Sequence, residues 1–242
     1  MNFLSFFSPQ TIYRTSSRFN GAIEVVEFLG KRELVVGGLQ QSGWLVQKLW
    51  KAAISTINNQ PSFAASGAAS KGRQSTINNI LILGLGAGSV LPIINRYYPK
   101  AKIVGVEIDP VIIDTGKKFF ALESHKNVTI VTADAFTFID NHIKKEQGQR
   151  IRSNSTYHWS TRYDLILIDL YRGGEVPKKL RTQAFFQKVK GLLSKDGVVM
   201  INHLRGKGRE KDLKQFEKLL YTVFAKVDVV KPLVNQVYIA RS

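Results

Sequence analysis

Cysteine is absent from the 242 residues, which excludes disulfides and every thiolate metal site. Histidine is scarce as well. The four present (His125, His142, His158 and His203) show no ligand spacing, so no structural metal is expected. No apolar run reaches about 18 residues without a charge or glycine break, so no membrane span is expected. The opening MNFLSFFSPQ lacks the basic start and apolar core of a secretory signal, and a cytoplasmic protein is the expectation. Acidic residues are also in short supply: 18 Asp and Glu face 35 Lys and Arg, a net charge of +17. Such a field attracts polyanions and repels cationic small molecules. Nucleic acid is therefore admitted as a partner on charge alone, beside a small-molecule or anionic acceptor.

Glycine and β-branched residues, in contrast, are placed with a pattern. Residues 20–42 read as two short strands joined around Gly30-Lys31, and GWLVQKLWKAAI reads as a helix. A Ser-, Ala-, Gly- and Asn-rich stretch over 57–79 reads as a flexible linker. It separates an N-terminal hairpin and helix (1–56) from a nucleoside-binding domain (80–242). In that domain the strands NILILG, KIVGVE, NVTIVT, YDLILID and GVVMIN alternate with helices, and KVDVV and QVYIA close the chain. Helices are expected from about Ala87, from Pro110 with Asp109 as its cap, from Ala135, over 181–193 and over 209–221. Near-continuous Val/Ile/Leu strands separated by helices predict an α/β fold. Its doubly wound, Rossmann-like, mostly parallel seven-stranded sheet carries a small N-terminal β-hairpin extension. The polar run 144–162 reads as a long exposed loop, either a lid or an insertion.

In doubly wound sheets the ligand lies beyond the carboxyl ends of the strands. The first strand ends in GLGAGS, where Gly84, Gly86 and Gly88 expose backbone amides suited to a carboxylate or phosphate. The second ends in Glu107, with two oxygens for two ribose hydroxyls, and Ile108 beside it joins the candidate cofactor contacts. After the third, Asp134 can accept from an adenine amino group while Ala135 leaves room for the ring. The fourth ends in Asp169, with Tyr171 two residues on; both are candidate catalytic groups. A dinucleotide fingerprint requires a small residue where Ser89 stands and calls for no acid after the third strand. The G-x-G-x-G spacing and Asp134 favour an S-adenosylmethionine-type nucleoside. Each residue also has a plainer role: tight turn for the glycines, surface acid for Glu107, helix cap for Asp134, packing for Tyr171.

The run ILGLGAGSVLPIINRYYPKAKIVGVEIDPVII, with VTADAFTFI and YDLILIDLYRGGEVPKKLRTQAFFQKVKGLLSKDGVVMIN, resembles the spermidine synthase-like family. The hairpin ending VVGGLQQS resembles that family's small β-domain in shortened form. The resemblance implies a class I methyltransferase-type sheet that binds S-adenosylmethionine or its decarboxylated form, without metal. It also implies a cofactor contact at Gln41 and allows a homodimer. Three departures bear on the reaction. The family's aminopropyltransferases carry D-x-x-D after the fourth strand, whereas Asp169 is followed three residues later by Arg172. Ala87 stands where an acid of the glycine turn binds the aminopropyl ammonium. SGWLVQKLWKAAI has no carboxylate where the family's polyamine groove has acids.

Desolvating a polyamine without paired carboxylates is prohibitive, so methyl transfer is expected over aminopropyl transfer. The alternatives are a true aminopropyltransferase, and a non-catalytic nucleoside-binding protein that holds nucleic acid on a basic face. His203, past the fifth strand, is a further acid–base candidate whose plainer role is a histidine bonded to backbone. Lys178, Lys179 and Arg181 are candidate anion contacts, and Lys211, Lys214 and Lys218 form a stripe on the last helix.

Overall fold

The computed structural model describes residues 8–58, 77–148, 162–171, 175–232 and 234–241. Most of the expected 57–79 linker, most of the 144–162 loop, and Arg172 lie outside the described residues. Two sheets organise the chain. The larger contains β5 (Asn79–Leu83), β6 (Lys102–Glu107), β7 (Val128–Thr132), β8 (Tyr163–Ile168), β9 (Leu193–Leu204), β10 (Lys226–Val230) and β11 (Asn235–Arg241). Its order is β10-β11-β9-β8-β5-β6-β7, with β11 antiparallel to both neighbours and the other pairs parallel. The expected seven-stranded, mostly parallel sheet is thus present.

Alternation along the strands sends side chains to opposite faces, and each face has its own helices. Ile80, Ile82, Leu165, Leu167 and Met200 pack with α1 (Trp44–Asn58), α2 (Leu91–Tyr97) and α3 (Pro110–Phe119). Leu81, Leu83, Ile166, Ile168 and Ile201 pack with α4 (Ala135–Glu146), α5 (Gln183–Gly191) and α6 (Glu210–Tyr221). Helix α1 therefore belongs to the core of the large sheet, although it precedes β5 in the chain. Helix α2 begins at Leu91 rather than near Ala87, because the glycine turn occupies the intervening residues.

The expected hairpin is the centre of a four-stranded antiparallel meander: β1 (Gln10–Ser17), β2 (Gly21–Phe28), β3 (Lys31–Val36) and β4 (Leu39–Ser42). This sheet lays Ile23, Val25 and Leu34 against Ala87 and Ile112 of the larger unit. Asp109 completes the seam. It caps α3 by accepting from Val111 N at 3.0 Å, and it also accepts from Asn20 Nδ2 at 2.7 Å and from Ser17 Oγ.

Candidate functional site

The chain passes from β5 outward through β6 to β7, then returns to place β8 on the other side of β5. That reversal opens a crevice at the strand ends. A cleft of about 750 Å³ occupies it, roofed by β3, β4 and α1. This lies within the ~300–1,000 Å³ typical of small-molecule sites. Gln41, Gly84, Gly86, Glu107, Ile108, Asp134, Ala135, Asp169 and Tyr171 all line the cleft. Gly88 does not; it faces a second, smaller cavity.

The glycines do different work. All three have positive φ, 88° at Gly84, 57° at Gly86 and 86° at Gly88. A Cβ at Gly84 would lie 2.2 Å from the carbonyl oxygen of Asp169, so this glycine lets β5 and β8 close up at their ends. A Cβ at Gly88 would lie 2.6 Å from Leu122 Cδ1, a packing constraint. At Gly86 the nearest atom is Ser42 Oγ at 3.7 Å, so the space beside it is open to a ligand. The turn amides are less available than the sequence suggests. Gly84 and Leu85 N–H donate to Val106 O, and Gly88 N–H donates to Leu85 O.

Gly86 N–H donates instead to Glu107 Oε2 at 2.8 Å, while Asp109 N–H reaches Glu107 Oε1 at 3.1 Å. Burial pushes the Glu107 carboxyl above its ordinary range, against the pull of these amides and that of Ile108. A desolvated carboxylate bordering an open cleft gains from hydroxyl donors, which a ribose would supply. Asp134 caps α4, accepting from Thr137 N at 2.9 Å and Thr137 Oγ1 at 3.0 Å, both on Oδ1. Phe136 follows it, with the Lys179 ammonium 5.6 Å above its ring. Lys178 and Lys179 thus border the Asp134 end of the cleft, whereas Arg181 pairs with Asp212 on α6.

Asp169 is held by two residues that sequence reasoning missed. Trp50 Nε1 donates to Oδ2 at 3.3 Å and Asn202 Nδ2 donates to Oδ1 at 2.8 Å. Asn202 is held in turn by Asn235, whose amide donates to its Oδ1 at 3.0 Å. Burial pushes the Asp169 carboxyl up, and the two donors pull it back. The Tyr171 hydroxyl donates to Asn202 O at 3.1 Å; burial and the nearby Asp169 push its ionisation far above the ordinary range. That leaves Asp169, not Tyr171, as the group able to take up a proton. The available signal was an Asn closing the apolar run GVVMIN, since a polar residue in a buried strand needs a partner.

His203 is outside the cleft. It is fully buried between Phe216 and Tyr238, with Nδ1 3.0 Å from Leu204 O and Nε2 3.5 Å from Asp212. Burial pushes its pKa down. Among the described residues no cluster of His, Asp and Glu is arranged to hold a metal, and no helix is long and apolar enough to cross a membrane.

Similarity to known proteins follows the same lines. A polyamine aminopropyltransferase of Vibrio vulnificus is 34% identical over 123 residues, which is 51% of this chain and 36% of that protein. The eEF1A lysine and N-terminal methyltransferase of Mus musculus is 28% identical over 139 residues, 55% of this chain and 18% of that protein. The chain therefore spans well under half the length of these two curated relatives. A spermidine synthase crystallised with the transition-state analogue AdoDATO superposes with a TM-score of 0.67 at 16% identity, covering 96% of this chain and 73% of that one. Human methyltransferase-like protein 13, in complex with SAH, superposes with a TM-score of 0.56 at 21% identity, covering 81% and 79%. Residues 67–238 match the model of the spermine/spermidine synthase domain, and the chain belongs to that family.

Proposed function

We propose that the protein is an S-adenosylmethionine-dependent transferase, with methyl transfer to an acceptor other than a polyamine as its reaction. One observation carries the preference. The cleft wall opposite the strand ends is built from Leu34, Val36, Leu39, Gln41, Val46 and Trp50, and none of these is ionisable. With Glu107 and Asp134 given to the nucleoside, a polyamine entering there would lose its hydration and find only Asp169, already shared between Trp50 and Asn202.

The strand order supports one reading of the ligand's axis. From β7 to β8 there are three strand intervals, about 14 Å at the usual spacing, between Asp134 and Asp169. Asp134 and Ala135 would receive the base, Glu107 the ribose hydroxyls, and the open face of Gly86 the amino-acid end. When bound, S-adenosylmethionine supplies an electrophilic methyl group. The chain's own contribution is placement of the acceptor beside Asp169 and exclusion of water by the apolar wall. Asp169 would accept a proton from an acceptor that must lose one, and its upward shift brings it closer to the optimum for a base near neutrality.

Aminopropyl transfer is the second reading, favoured by the 34% identity to the Vibrio vulnificus protein. Calorimetric titration with intact and decarboxylated S-adenosylmethionine and with NAD separates these readings. The expected result is binding of the intact form, lost in Glu107→Ala. Tighter binding of the decarboxylated form, with aminopropyl transfer to a diamine, would refute the methyl-transfer reading. Silence with all three ligands would leave a protein without this cofactor.

A further inference from the structure

Outside the cleft, three cations have settled on aromatic rings instead of carboxylates. Lys48 Nζ lies 4.3 Å and Lys31 Nζ 5.7 Å from the ring centre of Trp44. Lys118 Nζ lies 4.7 Å from Tyr13 and 5.1 Å from Phe119, and those two rings are 4.9 Å apart. Arg32 joins them, 5.9 Å from Phe119, with its Nη1 donating to Phe119 O at 3.4 Å. Among the described residues neither Lys31, Lys48 nor Lys118 pairs with a carboxylate. Three of the nearby acids are otherwise placed: Glu27 is buried under Arg32 at 3.0 Å, and Asp114 and Glu123 flank Lys117.

Between Trp44 and Phe120 lies a cavity of about 250 Å³, bordered by Lys31, Arg32 and Gln47. Trp44 keeps 37% of its surface exposed. Exposed lysines alone would suit any acidic partner. Rings set between the cations add a face on which an unpaired base can stack, which neither a carboxylate side chain nor a duplex interior offers. In a chain of net charge +17 the complement is a polyanion carrying unstacked rings.

We infer that this face, formed by β1, β3, the start of α1 and the end of α3, binds single-stranded nucleic acid. Phosphates take the lysines and one base takes Trp44. The lysines over Trp44 are long and solvated, and a cation–ring contact at such a site is weak enough to yield to stacking. Tyr13, Phe119 and Phe120 are half-buried against the small-sheet core while Trp44 and the three lysines are exposed, and the assignment is independent of the transferase reading.

Fluorescence anisotropy with labelled oligouridylate and oligothymidylate tests it, with a duplex and polyglutamate as competitors. The single strands should bind more tightly than the duplex, and polyglutamate should compete poorly. Trp44→Ala should weaken binding about tenfold, and Trp44→Phe should restore most of that loss. Joint Lys31→Ala, Lys48→Ala and Lys118→Ala should lower the slope of log affinity against log salt by about 2, at ~0.7 per phosphate contact. Joint Lys211→Ala, Lys214→Ala and Lys218→Ala on α6 should leave it unchanged. Equal affinity for polyglutamate, an unaltered affinity in Trp44→Ala, or a slope carried by α6 would each overturn the assignment.

Discussion

Replacing Asn202 by alanine tests whether Asp169 is placed by its neighbours. The Asn202 side chain is buried and makes two hydrogen bonds, donating to Asp169 Oδ1 at 2.8 Å and accepting from Asn235 at 3.0 Å. A hydrogen bond to a charged group contributes about 1.5–3 kcal/mol and a neutral one about 0.5–1.5 kcal/mol. Truncation removes both and leaves the Asn235 amide without this acceptor, so a destabilisation of about 2–4 kcal/mol is expected. Chemical denaturation at neutral pH measures it. The variant also strips Asp169 of its shorter donor, leaving Trp50 at 3.3 Å. Both donors favour the carboxylate, so the Asp169 pKa must rise further, and the acid limb of the transfer rate should move to higher pH. Asn202→Asp should move it further still, since a like charge then stands opposite Asp169. A loss under about 0.5 kcal/mol with an unmoved acid limb would refute the reasoning. Loss of stability alone would leave Asn202 as packing and nothing more.

Gly84→Ala and Gly86→Ala should behave oppositely. The first drives a methyl against the Asp169 carbonyl at 2.2 Å and should cost on the order of 3 kcal/mol or more, read as a collapsed melting temperature. The second meets only Ser42 Oγ at 3.7 Å and should cost about 1–2 kcal/mol from its φ, yet weaken nucleoside binding in calorimetry. The raised Glu107 and Asp169 carboxyls keep protons in the folded state that the unfolded chain has released. Stability should therefore fall as pH rises from about 4 through their folded pKa values, and Asp169→Asn should flatten that decline in denaturation series. Asp109→Ala removes a helix cap and two donors' acceptor at once, with about 2–4 kcal/mol expected from urea midpoints.

Much of the cleft lining was legible because strand-end residues follow a fixed grammar in this kind of sheet. Glu107, Asp134 and Asp169 each close an apolar run, and each borders the cleft. The glycines were harder. Three alternate glycines look alike in sequence, but what a Cβ would meet differs at each, and Gly88 is turned to another cavity. Trp50 could not be read at all. It sits among apolar positions of an amphipathic helix, and its partner lies 119 residues away. β1 and β4 were missed because a small, half-exposed sheet needs few apolar residues: QTIYRTSS buries none of its eight side chains fully. β4, LQQS, is four residues long with only Ser42 buried, too short for alternation to register.

The seam at Asp109 ties inheritance of the small sheet to that of the cleft at the strand ends. One carboxylate receives Ser17 and Asn20 from the first hairpin and Val111 from α3, while its own amide supports Glu107. The roof and the floor of the cleft are therefore not interchangeable modules. A chimera that grafts another β-meander onto residues 77–241 would have to reproduce a hydroxyl and an amide at that turn. Otherwise it would loosen the Glu107 carboxylate without altering any strand-end residue of the larger sheet that lines the cleft.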